Sequence, residues 1–189
     1  IPIKINAEVT VTKDDGPREP NEEKIKSLAP AFLEEGSITA ATSSPISVGA
    51  SALLIGNESF CEANDLKPRA EIISRAIAGV HWDRMGMGPL PAVEKALQKA
   101  KLGIEDIETI ELNEAFAAQA LYVIRKGGWD QNKINLNGGA IALGHPLGCS
   151  GARILTTLIN AMEQNSTSLG MATMCIGSGQ GIATIIKRV

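Results

Sequence analysis

Residues 150–187 read SGARILTTLINAMEQNSTSLGMATMCIGSGQGIATIIK and indicate the fold class. Apolar residues recur every three or four positions over Ser150–Gln164, which predicts an amphipathic helix. Two short apolar runs follow, Leu169–Ile176 and residues 182–187, and each has the length of a buried strand. A glycine-rich turn at residues 177–181 separates these two runs. The segment therefore predicts a helix that packs on two neighbouring strands.

The residues before this segment repeat the alternation of strand and helix. Strands are predicted over residues 70–80, 106–112 and 134–137, and helices over residues 91–103 and 115–126. Strands that alternate with helices and end in a strand pair indicate an α/β fold with layers. We therefore expect a mixed sheet that is covered by helices.

The first third of the chain has a less regular pattern. Apolar and polar residues alternate strictly over residues 1–12, which predicts one half-buried strand. Asn21 is expected to cap a short helix, a further strand is predicted over residues 37–42, and a helix over residues 57–65. Residues 48–55 form an apolar run that fits a helix or a strand equally.

Composition excludes several classes of protein. The chain has 189 residues, of which 44% are hydrophobic and 21% charged, as in ordinary globular proteins. A net charge of −3 without a basic run argues against nucleic-acid binding. No apolar run approaches the ~20 residues of a membrane span. Three cysteines without a CxxC pair argue against a disulfide scaffold or zinc ribbon, and they favour a reducing, cytoplasmic location.

His145 is the first candidate for chemistry. It lies between Gly144 and Pro146 in a glycine-rich loop that leads into the helix beginning near Ser150. The positive end of a helix disfavours an imidazolium, and a neutral imidazole is what a general base requires. The alternative is a structural histidine whose nitrogens are satisfied by neighbouring groups.

Cys175 and Asn113 are the other two candidates, because Cys175 lies at the end of a predicted strand and Asn113 directly follows one. Glycines directly after Cys175 allow backbone N–H groups to converge on an anion, although a buried free cysteine is usually an inert small side chain. Asn113 could hold a water or a carbonyl group, or it could simply cap the next helix. Cys61 and Cys149 are interpreted as structural. The sequence shows no P-loop, carboxylate pair or metal-ligand cluster.

Three loops together resemble the C-terminal motifs of the thiolase family. These are NEAFAAQ at residues 113–119, NGGAIALGHPLGCSGARI at 137–154 and CIGSGQG at 175–181. GMGPLP at residues 86–91 and TAATSSPISVG at 39–49 are similar to two further family segments. The amino-acid sequence of these motifs most resembles that of bacterial 3-ketoacyl-CoA thiolases. It implies the C-terminal repeat of the thiolase fold over residues 21–189, with residues 1–20 as a crossover strand and connector.

The resemblance implies a role for each matching position. His145 corresponds to the base that activates the nucleophilic cysteine, and Cys175 to the second cysteine, which acts as acid and base. Asn113 corresponds to the residue that holds the thioester oxygen through a water, and Gly177 to an oxyanion N–H donor. Three positions correspond to contacts with coenzyme A or the acyl channel: Ser44, Met85 and Phe116.

The implied reaction is cleavage of a 3-ketoacyl-CoA by coenzyme A, which enters as a co-substrate; no resident cofactor or metal is expected. The nucleophile's motif is absent from these residues, so the isolated chain is expected to be inactive. Ala41 and Val48 stand where the family usually has Gly and Asp, and His81 also departs from the family pattern.

The resemblance also implies partners. A homodimer of the full-length thiolase and a multifunctional α-subunit, carrying hydratase and dehydrogenase activities, are expected. Two alternatives remain open: a biosynthetic acetoacetyl-CoA thiolase and a non-catalytic, thiolase-like lipid-binding module. A ketosynthase is disfavoured, because ketosynthase sites do not use the cysteine at the position of Cys175.

Overall fold

A computed structural model describes residues 2–189. The strands are β1 (Ile3–Lys4), β2 (Thr10–Val11), β3 (Ala70–Gly79), β4 (Thr109–Leu112), β5 (Leu169–Ile176) and β6 (Gln180–Arg188). The α-helices are α1 (Glu22–Lys26), α2 (Glu58–Ala63), α3 (Pro89–Ala100), α4 (Ala117–Gly127), α5 (Ala140–Leu143) and α6 (Ser150–Gln164). Short 3₁₀ segments cover Ala40–Thr42, Trp82–Met87, Ile104–Asp106 and Gln131–Lys133.

Four strands form a mixed sheet in the order β3-β6-β5-β4. β4 and β5 are parallel, whereas β6 is antiparallel to both β3 and β5. The predicted α/β class with a mixed sheet is therefore confirmed. Because β4 and β5 are parallel, their carboxyl ends lie at the same edge of the sheet.

Helices cover both faces of this sheet. On one face α3 packs against β3 and β6, and the buried core includes Val93, Ile110 and Ile185. On the other face α6 packs against β4 and β5, and Ile154, Leu158 and Met162 on the helix meet Ala172 and Ile186 on the sheet. The apolar spacing along residues 150–164 thus explains which side of α6 is buried.

The clearest predictions concern the C-terminal half. The helix at Ser150–Gln164 and the strand at Leu169–Ile176 have the predicted bounds. Helix α3 begins at Pro89, where a first-turn proline costs no hydrogen bond, and α4 is closed by Gly128 in a left-handed conformation. Asn21 caps α1 as predicted, through a hydrogen bond from the backbone N–H of Lys24.

The prediction of one strand over residues 1–12 is wrong for the part that the structure describes. Residues 3–4 and 10–11 pair with each other as a short antiparallel hairpin, and all four are exposed. Asn6 makes the reversal, because its side chain accepts hydrogen bonds from the N–H groups of Glu8 and Val9. Ile1 lies outside the described residues.

Two more predicted strands are also wrong. Residues 37–42 contain a 3₁₀ turn at Ala40–Thr42, closed by reciprocal hydrogen bonds between Thr39 and Thr42. Residues 134–137 make only an isolated bridge between Ile134 and Ile110. The ambiguous run over residues 48–55 forms neither a helix nor a strand. Among residues 2–189, no helix combines the length and the apolarity that crossing a membrane requires.

The start of α3 and the start of β6 approach each other closely through two glycines. A Cβ added at Gly181 would overlap the backbone carbonyl of Gly88, and neither backbone can move without disturbing the sheet. Gly181→Ala is therefore expected to reduce the free energy of unfolding by more than about 2 kcal/mol. Urea unfolding would measure the loss.

Gly148→Ala is the matched control, because a Cβ at Gly148 meets no atom within 4 Å. It should change stability by less than about 1 kcal/mol. Equal losses in the two variants would contradict the close approach described here.

Candidate active site

Two candidate residues lie at the carboxyl edge of the parallel strand pair. Asn113 directly follows β4, and its backbone N–H donates to the carbonyl of Thr173 on β5 at 3.0 Å. Cys175 lies two residues further along β5. The side chain of Asn113 is fully buried, and Cys175 is 5% exposed. The edge-of-sheet position predicted from the sequence is thus confirmed for both residues.

His145 reaches this edge from the loop before α6. Its Nε2 lies 3.3 Å from Nδ2 of Asn113, and its backbone N–H donates to the carbonyl of Pro45 at 3.1 Å. Burial, together with the positive charge of Arg153, lowers the pKa of His145. The imidazole is therefore neutral near pH 7, as a general base must be.

Ser150 determines which nitrogen of His145 carries the proton. The Ser150 hydroxyl lies 2.6 Å from Nδ1 of His145 and donates to the carbonyl of Pro146 at 3.0 Å. Since its one proton goes to that carbonyl, the Ser150 oxygen accepts from Nδ1–H. In this arrangement Nε2 carries the lone pair and faces Asn113. Nε2 is thus the basic atom of the site.

The pKa of the Cys175 thiol is shifted in the opposite direction to that of the His145 imidazole. Burial raises the pKa of Cys175, because a thiolate is poorly solvated there. At neutral pH the side chain is an S–H group that can donate a proton. Burial therefore favours a neutral imidazole at His145 and a protonated thiol at Cys175.

Asn135 holds the end of β4 in place. Its side-chain amide accepts from the N–H of Leu112 and donates to the carbonyl of the same residue, both at 2.9 Å. This pairing imitates a neighbouring strand along the free edge of β4 and fixes the residue before Asn113. The sequence pattern did not indicate this role of Asn135, because it predicts a strand over residues 134–137.

Glu114 links the loop after β4 to the loop that carries His145. Its carboxylate accepts from the side chain of Asn135 and from the backbone N–H of Ile141, both at 3.1 Å. A Cβ at Gly139 would overlap this carboxylate, so glycine is needed for the approach. Glu114 lies in the motif NEAFAAQ, and Gly139 and Ile141 lie in the motif NGGAIALGHPLG. Nothing in the sequence indicated that these two motifs are in contact.

The other predicted positions lie around this centre. The Ser44 hydroxyl and backbone N–H both donate to the carbonyl of Ala115, at 3.1 and 3.0 Å. Phe116 is half-buried immediately before α4, and Met85 is half-buried in the 3₁₀ segment that packs against α4. Gly177 is exposed in the turn between β5 and β6. The hydrogen bonds of the site join Asn113 to His145, but none joins either of them to Cys175, Met85, Phe116 or Gly177 within residues 2–189.

A groove opens beside His145. Residues 47–51 form one wall and residues 146–149 the other. Pro146, the residue after His145, is part of the second wall. In the part of the chain that the structure covers, no three His, Cys, Asp or Glu side chains are grouped as metal ligands.

A buried pair of ionisable side chains lies behind the site. Glu111 on β4 is 1% exposed, and its Oε2 lies 3.5 Å from Nη1 of Arg153 on α6. Burial raises the pKa of Glu111 to about 8, although the charge of Arg153 opposes this shift. Sequence reasoning missed both residues, since a lone Glu in a strand and a lone Arg in a helix normally indicate solvent-exposed positions.

The fold and the site together define a class of protein. It is an α/β protein with a neutral imidazole, a carboxamide and a protonated thiol at the carboxyl edge of its sheet, beside glycine-rich turns. The chain belongs to the thiolase family. The model of the thiolase C-terminal domain matches residues 66–188, and that of the thiolase N-terminal domain matches residues 1–59.

Curated relatives support this assignment. The chain is 60% identical over 172 residues to a 3-ketoacyl-CoA thiolase of Acinetobacter baumannii, covering 89% of this chain and 44% of that protein. It is 58% identical over 170 residues to a 3-ketoacyl-CoA thiolase of Psychrobacter arcticus, covering 88% of this chain and 44% of the relative. The chain thus spans less than half the length of these relatives.

Solved structures show the same fold over the whole chain. The crystal structure of the Bacillus anthracis acetyl-CoA acetyltransferase matches with a TM-score of 0.95 and 39% identity, covering 100% of this chain and 48% of that one. Human mitochondrial 3-ketoacyl-CoA thiolase matches with a TM-score of 0.92 and 38% identity at the same coverage, both alone and in complex with CoA.

The raised pKa of Glu111 predicts a pH-dependent stability. The folded chain keeps the Glu111 proton up to about pH 8, whereas an unfolded chain releases it near the ordinary value of 4.5. Between these values the folded state holds one more proton, so stability falls as the pH rises. Glu111→Gln cannot ionise and should gain on the wild type by up to about 1.4 kcal/mol per pH unit in this window.

Urea unfolding at pH 5 and pH 8 measures the effect. Glu62→Gln, which removes an exposed carboxylate on α2, serves as the control and should follow the wild type. A difference between Glu111→Gln and wild type that stays constant from pH 5 to pH 8 would rule out a neutral, buried Glu111.

Proposed function

We propose that this chain is the C-terminal catalytic part of a 3-ketoacyl-CoA thiolase. The enzyme would cleave a 3-ketoacyl-CoA with coenzyme A and release acetyl-CoA and a shortened acyl-CoA, as in fatty-acid β-oxidation. The observation that carries the proposal is the arrangement at the sheet edge. Nε2 of His145 is an unprotonated base beside Asn113, and Cys175 offers a thiol proton from the adjacent strand.

The first half-reaction would use His145. Its Nε2 takes the proton of a nucleophilic cysteine, whose thiolate attacks the keto carbonyl of the substrate. A bond forms between the cysteine sulfur and this carbon, and the bond between the keto carbon and the α-carbon breaks. The electron pair of the broken bond stays on the α-carbon of the departing acetyl-CoA.

Cys175 would supply the proton that this carbanion needs. Its thiol protonates the α-carbon and becomes a thiolate, and acetyl-CoA leaves. The Cys175 thiolate then takes the proton of incoming coenzyme A, whose sulfur attacks the acyl-enzyme. The shortened acyl-CoA departs, and His145 returns its proton to the nucleophilic cysteine.

Two groups would stabilise the negative oxygens that form along this path. Asn113 would act together with His145 on one of them; its Nδ2 lies 3.3 Å from Nε2 of the imidazole, which supports this role. The N–H of Gly177 would serve the other, since the residue lies two positions after Cys175 in the exposed turn. Loss of one such donor typically costs ~100-fold or more in rate.

The nucleophilic cysteine would come from sequence outside these 189 residues. Cys61 lies on the short helix α2, and Cys149 is buried directly before α6. Neither cysteine makes a hydrogen bond with His145 or Asn113. The curated relatives extend well beyond the length matched here, which is consistent with a nucleophile elsewhere.

Coenzyme A would enter through the groove beside His145, with Ser44, Met85 and Phe116 as its contacts. We also propose a homodimer, an association with a multifunctional α-subunit, and a cytoplasmic location. The division into residues 1–20 and 21–189 stays a prediction. The three cysteines are free thiols, consistent with a reducing compartment.

A biosynthetic thiolase is the second candidate, because the Bacillus anthracis acetyl-CoA acetyltransferase matches with a TM-score of 0.95. The two candidates differ in their acyl chain preference. A kcat/KM for thiolysis that increases from acetoacetyl-CoA to longer 3-ketoacyl-CoA substrates supports the degradative enzyme. A preference for acetoacetyl-CoA favours the biosynthetic one.

Substitution of the two proposed acid/base residues tests the function. In the full-length protein, Cys175→Ala and His145→Ala should each reduce thiolysis by about 100-fold or more while the circular dichroism spectrum is unchanged. Cys61→Ala is the control, because it removes a thiol from α2, and it should retain the wild-type rate. Near-normal thiolysis in either active-site variant would refute the proposed roles.

The isolated chain gives a second test. If the nucleophile lies elsewhere, the purified 189-residue chain should not cleave acetoacetyl-CoA in the presence of coenzyme A, whereas the full-length protein should. Absorbance of the substrate's enolate follows the reaction. Thiolysis by the isolated chain at a rate near that of the full-length protein would show that the nucleophile is among its own residues.

A further inference from the structure

The buried pair of Glu111 and Arg153 has no assigned role in the reaction, yet it lies directly behind the site. Glu111 precedes Asn113 by two residues, so both side chains are on the same face of β4. Arg153 follows Ser150 by three residues, so both are on the same side of α6. Each member of the pair is therefore the neighbour of a residue that holds His145.

This placement makes the pair a second connection between the two elements. In front, Asn113 and Ser150 hold the two nitrogens of His145. Behind them, Oε2 of Glu111 on β4 lies 3.5 Å from Nη1 of Arg153 on α6. The side chain of Arg153 is only 18% exposed, so its charge is poorly screened by solvent.

The pair is also incompletely hydrogen-bonded. Within residues 2–189, Oε1 of Glu111 and both Nε and Nη1 of Arg153 lack a hydrogen-bond partner. Leaving such groups unpaired costs stability, and a pair of apolar side chains of similar size would often be at least as stable. Stability alone therefore does not explain why a charge is buried here.

We propose that Arg153 is a positioning residue for His145: one turn after Ser150, whose hydroxyl contacts Nδ1 of the imidazole, it holds a buried positive charge that disfavours a second proton on the ring. The inference rests on the proposed function, in which His145 must begin the reaction as a neutral base. A protonated imidazole could not take the proton of the nucleophile.

The charges around His145 are consistent with this assignment. The elements packed at this point carry Glu111 on β4, Glu114 in the following loop, Cys175 on β5 and Arg153 on α6. Glu114 has its carboxylate engaged by Asn135 and Ile141. Burial lowers the pKa of His145 most, and Arg153 adds to the same effect. Burial keeps Glu111 protonated up to about pH 8, so its charge does not cancel that of Arg153 near neutrality.

A titration of His145 tests the inference without relying on catalysis. The imidazole Cε1–H resonances of the full-length protein would be followed by NMR as a function of pH, with the His145 signal assigned from its absence in His145→Asn. In Arg153→Met the midpoint of His145 should move to higher pH. In Arg153→Lys, which keeps a positive charge, it should return toward the wild-type value.

Glu111→Gln separates a charge effect from a general loosening of the site. A loosened site would expose His145 to water and raise its midpoint in Glu111→Gln as well as in Arg153→Met. If the charge of Arg153 is responsible, Glu111→Gln should leave the midpoint where it is or lower it. A higher midpoint in Glu111→Gln overturns the proposal, and this arm remains decisive if Arg153→Met fails to fold.

Arg69→Met is the matched control. Arg69 forms an exposed ion pair with Glu163 near the other end of α6, so its loss removes the same charge and a similar tie to that helix. The midpoint of His145 should not change in this variant. An unchanged midpoint in Arg153→Met, or an equal change in Arg69→Met, contradicts the proposal.

Enzyme assays add a second readout. The acid limb of the pH profile of kcat/KM for thiolysis should move to higher pH in Arg153→Met together with the NMR midpoint. If the wild-type protein shows no thiolysis, the proposed function fails, but the NMR titration still decides whether Arg153 controls the protonation of His145. A shifted midpoint with an unshifted acid limb would show that His145 is not the base in question.

Discussion

The parallel pairing of β4 with β5 is the constraint on which the site depends. It brings the carboxyl ends of both strands to one edge, so that Asn113 and Cys175 lie at the same edge although 61 residues separate them in the sequence. The N–H of Asn113 extends the ladder by one hydrogen bond to Thr173. Asn135 completes the free side of β4 with its side chain. His145 is then fixed between the end of β4 and the start of α6.

Burial at this edge produces the two kinds of acid/base group that the proposed reaction needs. An imidazole loses its proton more readily when it is buried, whereas a thiol keeps its proton more firmly. Burial therefore favours an unprotonated imidazole at His145 and a protonated thiol at Cys175, which are the forms that the proposed reaction requires. The cost of this environment is visible at Glu111, whose carboxyl group is kept protonated by the same burial.

Much of the C-terminal half could be predicted, because its periodicity and its core coincide. The apolar positions of residues 150–164 face the sheet. The short glycine-rich turn after Ile176 joins β5 to β6 as antiparallel neighbours. The strand predicted over residues 1–12 is wrong because alternation indicates a strand only where one face is buried, and here both faces are exposed. The strands predicted over residues 37–42 and 134–137 are wrong for another reason. Side-chain hydrogen bonds of Thr39, Thr42 and Asn135 take the place of hydrogen bonds between strands.

The residues of the candidate site also fall into two groups, those that the sequence could identify and those that it could not. Asn113, His145 and Cys175 could be identified because each follows a predicted strand or lies in a glycine-rich loop. Ser150, Asn135 and the Glu111–Arg153 pair could not, because their importance depends on which elements meet in space. Ser150 determines the tautomer of His145 only because α6 begins beside the ring.

The central claim is that Cys175 moves the proton on the α-carbon of acetyl-CoA. The most direct test is exchange of the acetyl-CoA methyl protons in D₂O, catalysed by the full-length protein and followed by NMR. The account predicts exchange in the wild type and its loss in Cys175→Ala, while mass spectrometry still detects the acetylated nucleophile. Exchange at the wild-type rate in Cys175→Ala would contradict it.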